Sequence, residues 1–187
     1  MARIDGPLRP GLTARLAWGG IRRRLGKVSD TWRIAAHAPW LLRGWGAFEM
    51  ALDRSRHVDA QLKELAQIKT AVLVGCEACI DVHSHLGRQT GVTEEQLHGL
   101  TDHATSPAFS SLEKLVLDYV VAVTRTPVDV PDELFAALRR LLSEAQLVEL
   151  TAVIVQENFR ARFNRAFRVP AVGFSEGGFC PLPGRGP

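Results

Sequence analysis

Glu64-Leu-Ala-Gln-Ile-Lys-Thr-Ala-Val-Leu-Val-Gly75-Cys76-Glu-Ala-Cys79-Ile-Asp-Val-His83 is the stretch that decides the fold. Gly75 is a natural helix stop, so one helix runs up to it and Cys76 opens the next. Cysteines in a first turn face unpaired amides and the positive end of the helix dipole, which favour thiolate. At ~100° per residue, Cys76, Cys79 and His83 fall within an arc of about 60°, with His83 one turn beyond Cys79. On a continuous helix Glu64 would stand ~18 Å from Cys76. A hairpin turning at Gly75 instead brings Glu64 to about a turn from His83. Glu64 shares its face with Ile68, Ala71 and Gly75, an apolar setting that raises a carboxyl pKa and suits it to carry protons near neutral pH. The implied relay runs Glu64, His83, Cys79.

Outward from this hairpin the pattern stays helical. Leu112, Leu115, Val116, Tyr119, Val120 and Val123 recur at helix spacing, as do Leu134, Phe135, Leu138, Leu141 and Leu142. Capping boxes pair Thr93 with Gln96, Ser110 with Glu113 and Ser143 with Gln146. Pro39 and Pro131 fit first-turn positions. Helices are expected at about 31–54 (broken near Pro39), 59–74, 76–89, 93–101, 110–125, 131–142 and 144–167. No stretch alternates with period two long enough to argue for a sheet, so the fold class is all-α. Three regions follow: a basic extension over 1–28, a helical domain over 29–169, and an irregular tail over 170–187.

The 187 residues, 46% hydrophobic, suit one domain with a core that needs no disulfide staples. Net charge is +3, but residues 1–27 hold seven basic side chains against Asp5, which is +6 there and −3 for the remainder. Only one aromatic residue, Trp18, stands among these arginines, so the arm reads as a solvated extension or a contact with a partner subunit, and no nucleic acid is expected. No apolar run reaches the ~18 residues of a membrane span, and no secretory core follows the basic start. Three cysteines, two of them adjacent in space, point to a reducing cytoplasm and to redox chemistry or metal.

The spacing Glu, eleven residues, Cys-x-x-Cys, three residues, His resembles the alkyl hydroperoxidase D branch of the carboxymuconolactone decarboxylase superfamily. The likeness continues through His83-x-x-x-Gly87-x-x-x-Gly91-Val-Thr and back through Ala36-His-Ala-Pro39-Trp-Leu-Leu. It is strong over about 33–102 and weaker over 103–169. The resemblance implies an alkyl hydroperoxidase D-like helical fold whose central hairpin carries the Cys-x-x-Cys motif, homo-oligomers (trimers or hexamers), and peroxiredoxin-type peroxidase or disulfide-exchange chemistry. By position, Cys79 attacks and becomes a sulfenic acid, Cys76 resolves it into a disulfide, and Glu64 and His83 move protons. A small hydroperoxide or disulfide is the implied substrate, with a thiol electron donor that the sequence does not identify. One position departs: the best-characterised peroxidase branch has histidine before the second cysteine, where this chain has Ala78.

Rival readings exist for the same residues. Cys76, Cys79 and His83 are zinc-ligand types, but His85 lies about 180° around the helix and no second cysteine pair closes a tetrahedral site, so no metal or other cofactor is expected. Asp81, about 140° away, reads as a surface or interface residue, as does His85. Cys180 reads as a free or interface thiol. Asn158 interrupts the stripe of Leu147, Leu150, Ile154 and Ala161; it either ties helices together, the preferred reading, or lines the active pocket with Arg162 nearby. Trp18, Trp32, Trp40 and Trp45 pack the first helices or an interface. Other functional classes are a non-redox lactone decarboxylase, which does not depend on a cysteine pair, and a non-catalytic stress-linked scaffold.

Overall fold

Gly75 ends one helix and sets the angle of the next. It adopts φ 74°, ψ 35°, and the amides of Gly75 and Cys76 close the turn on Val72 O and Ala71 O at 3.1 and 2.9 Å. The left-handed conformation is one that glycine takes without steric cost. A computed structural model describes residues 1–175. Among them are nine helices and no strand: α1 (Leu12–Leu25), α2 (Asp30–Ala35), α3 (Pro39–Arg54), α4 (Ala60–Val74), α5 (Glu77–Thr90), α6 (Glu94–Gly99), α7 (Ser111–Thr124), α8 (Asp132–Leu141) and α9 (Glu144–Phe167).

The hub is α4, which packs against α5, α7 and α9. Leu62, Leu65, Ala66, Ile68, Lys69, Thr70, Ala71 and Val72 of this helix are all buried. Burial on this many sides places the helix in the centre of the domain. The hairpin with α5 is tight because Gly87 has no side chain: a Cβ there would meet Ile68 Cδ1 and Val92 Cγ2 at 3.2 Å. The three predicted capping boxes are all present, at the starts of α6, α7 and α9. The break before Pro39 separates α2 from α3, whereas Pro131 stands one position earlier than predicted, as the N-cap of α8.

Residues 1–28 hold more structure than a solvated arm. Here α1 packs on α3, and Ala14 joins a buried cluster with Ala35, Ala36, Leu42 and Trp45. Trp45 stacks within 5.0 Å of Trp32 and edge-on to Phe159 and Phe163, so three of the helices meet around one ring. Trp40, by contrast, is 81% exposed. No helix among the described residues is long and apolar enough to cross a membrane.

Candidate active site

Cys76 is the N-cap of α5 and is disulfide-bonded to Cys79, with Cα atoms 5.3 Å apart. Both cysteines are buried, and the Cys79 amide donates to Cys76 Sγ at 3.2 Å. The helix start therefore points an amide, shared with Cys76 O at 3.1 Å, at sulfur, the arrangement that favours negative charge there. Asn164 of α9 adds a second donor. Its Nδ2 lies 3.3 Å from Cys79 Sγ and 3.7 Å from Cys76 Sγ, and Thr31 Oγ1 holds its Oδ1 at 2.9 Å.

One turn along α5, His83 is 2% exposed. Its Nδ1 is 2.8 Å from Glu64 Oε2, so the hairpin does bring residues 64 and 83 together. The other ring nitrogen faces α9: Arg160 Nη1 is 2.5 Å from Nε2 and Glu157 Oε2 is 3.2 Å away. Arg160 in turn grips Glu49 of α3, with Nη2 2.8 and 2.7 Å from the two carboxylate oxygens. Trp45 Nε1 also donates to Glu49, at 2.8 Å.

Charge decides the state of the ring. Burial works against an imidazolium, but Glu157 and Glu64 outweigh it and hold the pKa of His83 up at about 9. The contact with Arg160 points the other way, because a guanidinium only donates and needs a neutral Nε2. The carboxylates prevail, since Glu49 already neutralises Arg160 while Glu64 and Glu157 flank the ring. Burial likewise opposes the charge on Arg160, and Glu49, Glu157 and Glu64 keep it charged.

Cys79, His83, Glu64, Glu49, Arg160 and Asn164 line a cavity of about 470 Å³. Its walls are largely apolar: Ile21 and Leu25 from α1, Trp32 from α2, Leu42 from α3, Leu86 from α5, and Phe174. Arg24 and Asp53, paired with each other, sit on the same lining. Phe174 is held there by Asp81, whose carboxylate accepts the amides of Val172, Phe174 and Ser175 at 2.8–3.0 Å. Asp81 thus fastens the start of the tail to α5, the helix that carries the cysteines.

The remaining sequence candidates fall elsewhere. Asn158 donates to Thr124 Oγ1 at 3.1 Å and to Ile154 O, and pairs with Arg162, tying α9 to α7 away from the cavity. His85 bonds Gln89 and lies 6.4 Å from the Phe174 ring. Among the described residues no group of three or more His, Cys, Asp and Glu could hold a metal ion. Cys180 lies outside the described residues.

Sequence reasoning missed Glu157, Arg160 and Asn164. Their spacing of three and four residues is a one-face signal on a helix, but a polar face reads as solvent unless something shows that a cavity lies over it.

With this geometry in hand, the kinship is plain. The carboxymuconolactone decarboxylase family model matches residues 39–122. The uncharacterized protein YnjA of Escherichia coli (strain K12) is 34% identical over 164 residues, 87% of each chain. This chain belongs to the carboxymuconolactone decarboxylase family. Its fold is that of the alkylhydroperoxidase AhpD core. A peroxidase-related protein from Ralstonia eutropha JMP134 superposes with a TM-score of 0.82 at 17% identity, covering 92% of this chain and 94% of that one. The debrominase Bmp8 superposes with a TM-score of 0.80 at 21% identity, covering 91% of each chain.

Proposed function

We propose that this family member is a thiol oxidoreductase that reduces an organic hydroperoxide through a Cys76–Cys79 cycle. The observation that carries the reading is the position of Cys79 on the floor of an apolar-walled cavity beside His83 and Glu64, which are 2.8 Å apart. Cavities of ~300–1,000 Å³ enclose ligands much larger than hydrogen peroxide, so an organic hydroperoxide is the favoured substrate. Cys79 loses its proton to the Glu64–His83 relay, and the thiolate attacks the terminal peroxide oxygen. The O–O bond breaks, the alcohol leaves with a proton, and Cys79 is left as a sulfenic acid. Cys76 sulfur attacks it, the S–S bond forms and water leaves. An external thiol donor returns the two electrons. Asn164 and the first-turn amide of α5 stabilise the sulfur anions. A homo-oligomer is part of the same reading.

A second reading has support from a relative. Bmp8 is a debrominase and was crystallised with 2,3,4-tribromopyrrole. A dithiol in an apolar cavity can also replace a ring bromine by hydrogen, releasing bromide and ending as the same disulfide.

Thiol titration of the reduced protein tests the cycle. One equivalent of cumene hydroperoxide removes two thiols from the wild type. Cys76→Ser stops at a trappable sulfenic acid on Cys79, and Cys79→Ser forms none. Trapping on Cys76 in the Cys79→Ser variant reverses the roles. Thiols that survive the hydroperoxide but fall with tribromopyrrole select the second reading.

A further inference from the structure

Glu157 is completely buried, yet neither of its oxygens accepts a hydrogen bond. A buried carboxylate without hydrogen bonds is costly unless it has a partner in another state of the site. The nearest polar groups are His83 Nε2 at 3.2 Å and Arg160 Nε at 3.4 Å. Arg160 Nε likewise makes no hydrogen bond, while Nη1 of the same side chain lies 2.5 Å from His83 Nε2. One ring nitrogen therefore faces both a pure donor and a pure acceptor.

We propose that Arg160 and Glu157 are positioning residues that exchange places on His83 Nε2 as the ring gains and loses its second proton. The neutral ring keeps its proton on Nδ1 towards Glu64 and accepts from Arg160 at Nε2. The imidazolium carries a proton on Nε2, donates it to Glu157, and releases Nη1. Both ring nitrogens keep a partner in either state, Nδ1 on Glu64 and Nε2 on Arg160 or Glu157, so the ring can take the proton that leaves Cys79 and return it to the departing alcohol. Neither Glu157 nor Arg160 gains or loses a proton. The other charged groups around the ring are Glu64 on α4 and Glu49 on α3, the latter acting through its two bonds to Arg160. Arg24 and Asp53 stand further out on the cavity lining as a mutually paired couple. On α5 itself the neighbour is Ser84, buried and uncharged.

This rests on the proposed role of His83 as proton carrier, and the test separates the two. The ring nitrogens of His83 are followed by NMR in labelled disulfide-form protein from mildly acidic to alkaline pH, which needs no turnover. Glu157→Gln removes the acceptor of the charged ring and lowers the midpoint by about 1–3 units. Arg160→Gln removes the donor to the neutral ring and raises it, while Arg160→Lys stays close to wild type. If Arg160→Gln does not fold, Glu49→Gln leaves Arg160 unneutralised and lowers the midpoint instead. The rate of oxidation by cumene hydroperoxide shifts along the pH axis with the midpoint, which a merely structural role would not produce. Midpoints that stay put in Glu157→Gln and Glu49→Gln, or that move the same way in Glu157→Gln and Arg160→Gln, overturn the switch with the cycle intact. Opposite shifts in a protein that oxidises with no hydroperoxide leave the switch standing and remove the cycle.

Discussion

Two buried carboxylate systems sit at opposite ends of the pH scale. Glu149 of α9 accepts from Lys63 Nζ at 2.8 Å, Ser55 Oγ at 2.6 Å and the amides of His57 and Val58. Burial would raise its pKa, but Lys63, Ser55 and the His57 amide outweigh it and hold the carboxyl below its ordinary range. Its stabilisation is present above the unfolded carboxylate pKa and is lost as pH falls through the depressed folded one. His83 works in the other direction. Its contribution is complete below the unfolded imidazole value of about 6.5 and is lost as pH rises through about 9. Urea titrations should therefore give a stability plateau that falls on both sides. Glu149→Gln costs roughly 3 kcal/mol at neutral pH and flattens the acid limb, because Lys63 and two amides lose a charged acceptor. His83→Gln flattens the alkaline limb. An acid limb unchanged in Glu149→Gln would remove that carboxylate from the account. At this scale the sequence was half legible. Cys76, Cys79, His83 and Glu64 sit on a local hairpin whose spacing can be read directly. Their partners Glu157 and Arg160 arrive from about eighty residues away, and only packing brings them there.

Elements were easier to read, because helix ends carry their own chemistry. Asp59, Thr93, Ser110 and Ser143 cap α4, α6, α7 and α9 through side-chain oxygens. The exception is α1. Its concentration of basic side chains read as an extension, and Gly19 and Gly20 lower its intrinsic helix propensity. What keeps it helical is α3 beneath it, a tertiary effect absent from local pattern. The turn between α4 and α5 yields the sharpest element-level test. A Cβ at Gly75 meets nothing within 4 Å, so Gly75→Ala is penalised through backbone conformation alone. The left-handed φ of 74° predicts a loss of about 1–2 kcal/mol by urea denaturation. Full stability in that variant would mean the turn can be remade without glycine, and the geometric case for the hairpin would fail with it.

The whole molecule leaves a good deal of apolar surface uncovered: Leu12, Leu16, Trp40, Phe48, Val148 and Val155 are each more than 40% exposed. Where such side chains are contiguous they mark contact surfaces. Light scattering at micromolar concentration is expected to give a multiple of 20.6 kDa, and a monomer mass would count against the oligomer. The chamber over the cysteines has a divided origin. Half of its lining lies within residues 39–122, the segment that the family model matches, and that half includes Cys79, His83 and Glu64. The other half comes from before and after it: Leu16 to Trp32 on one side, Arg160, Asn164 and Phe174 on the other. The reactive sulfurs and much of the wall around them are thus written in different stretches of the gene. Under the proposed function, change in the flanking stretches would alter what enters the chamber without touching the cysteine pair, so the menu could vary while the cutlery stayed the same.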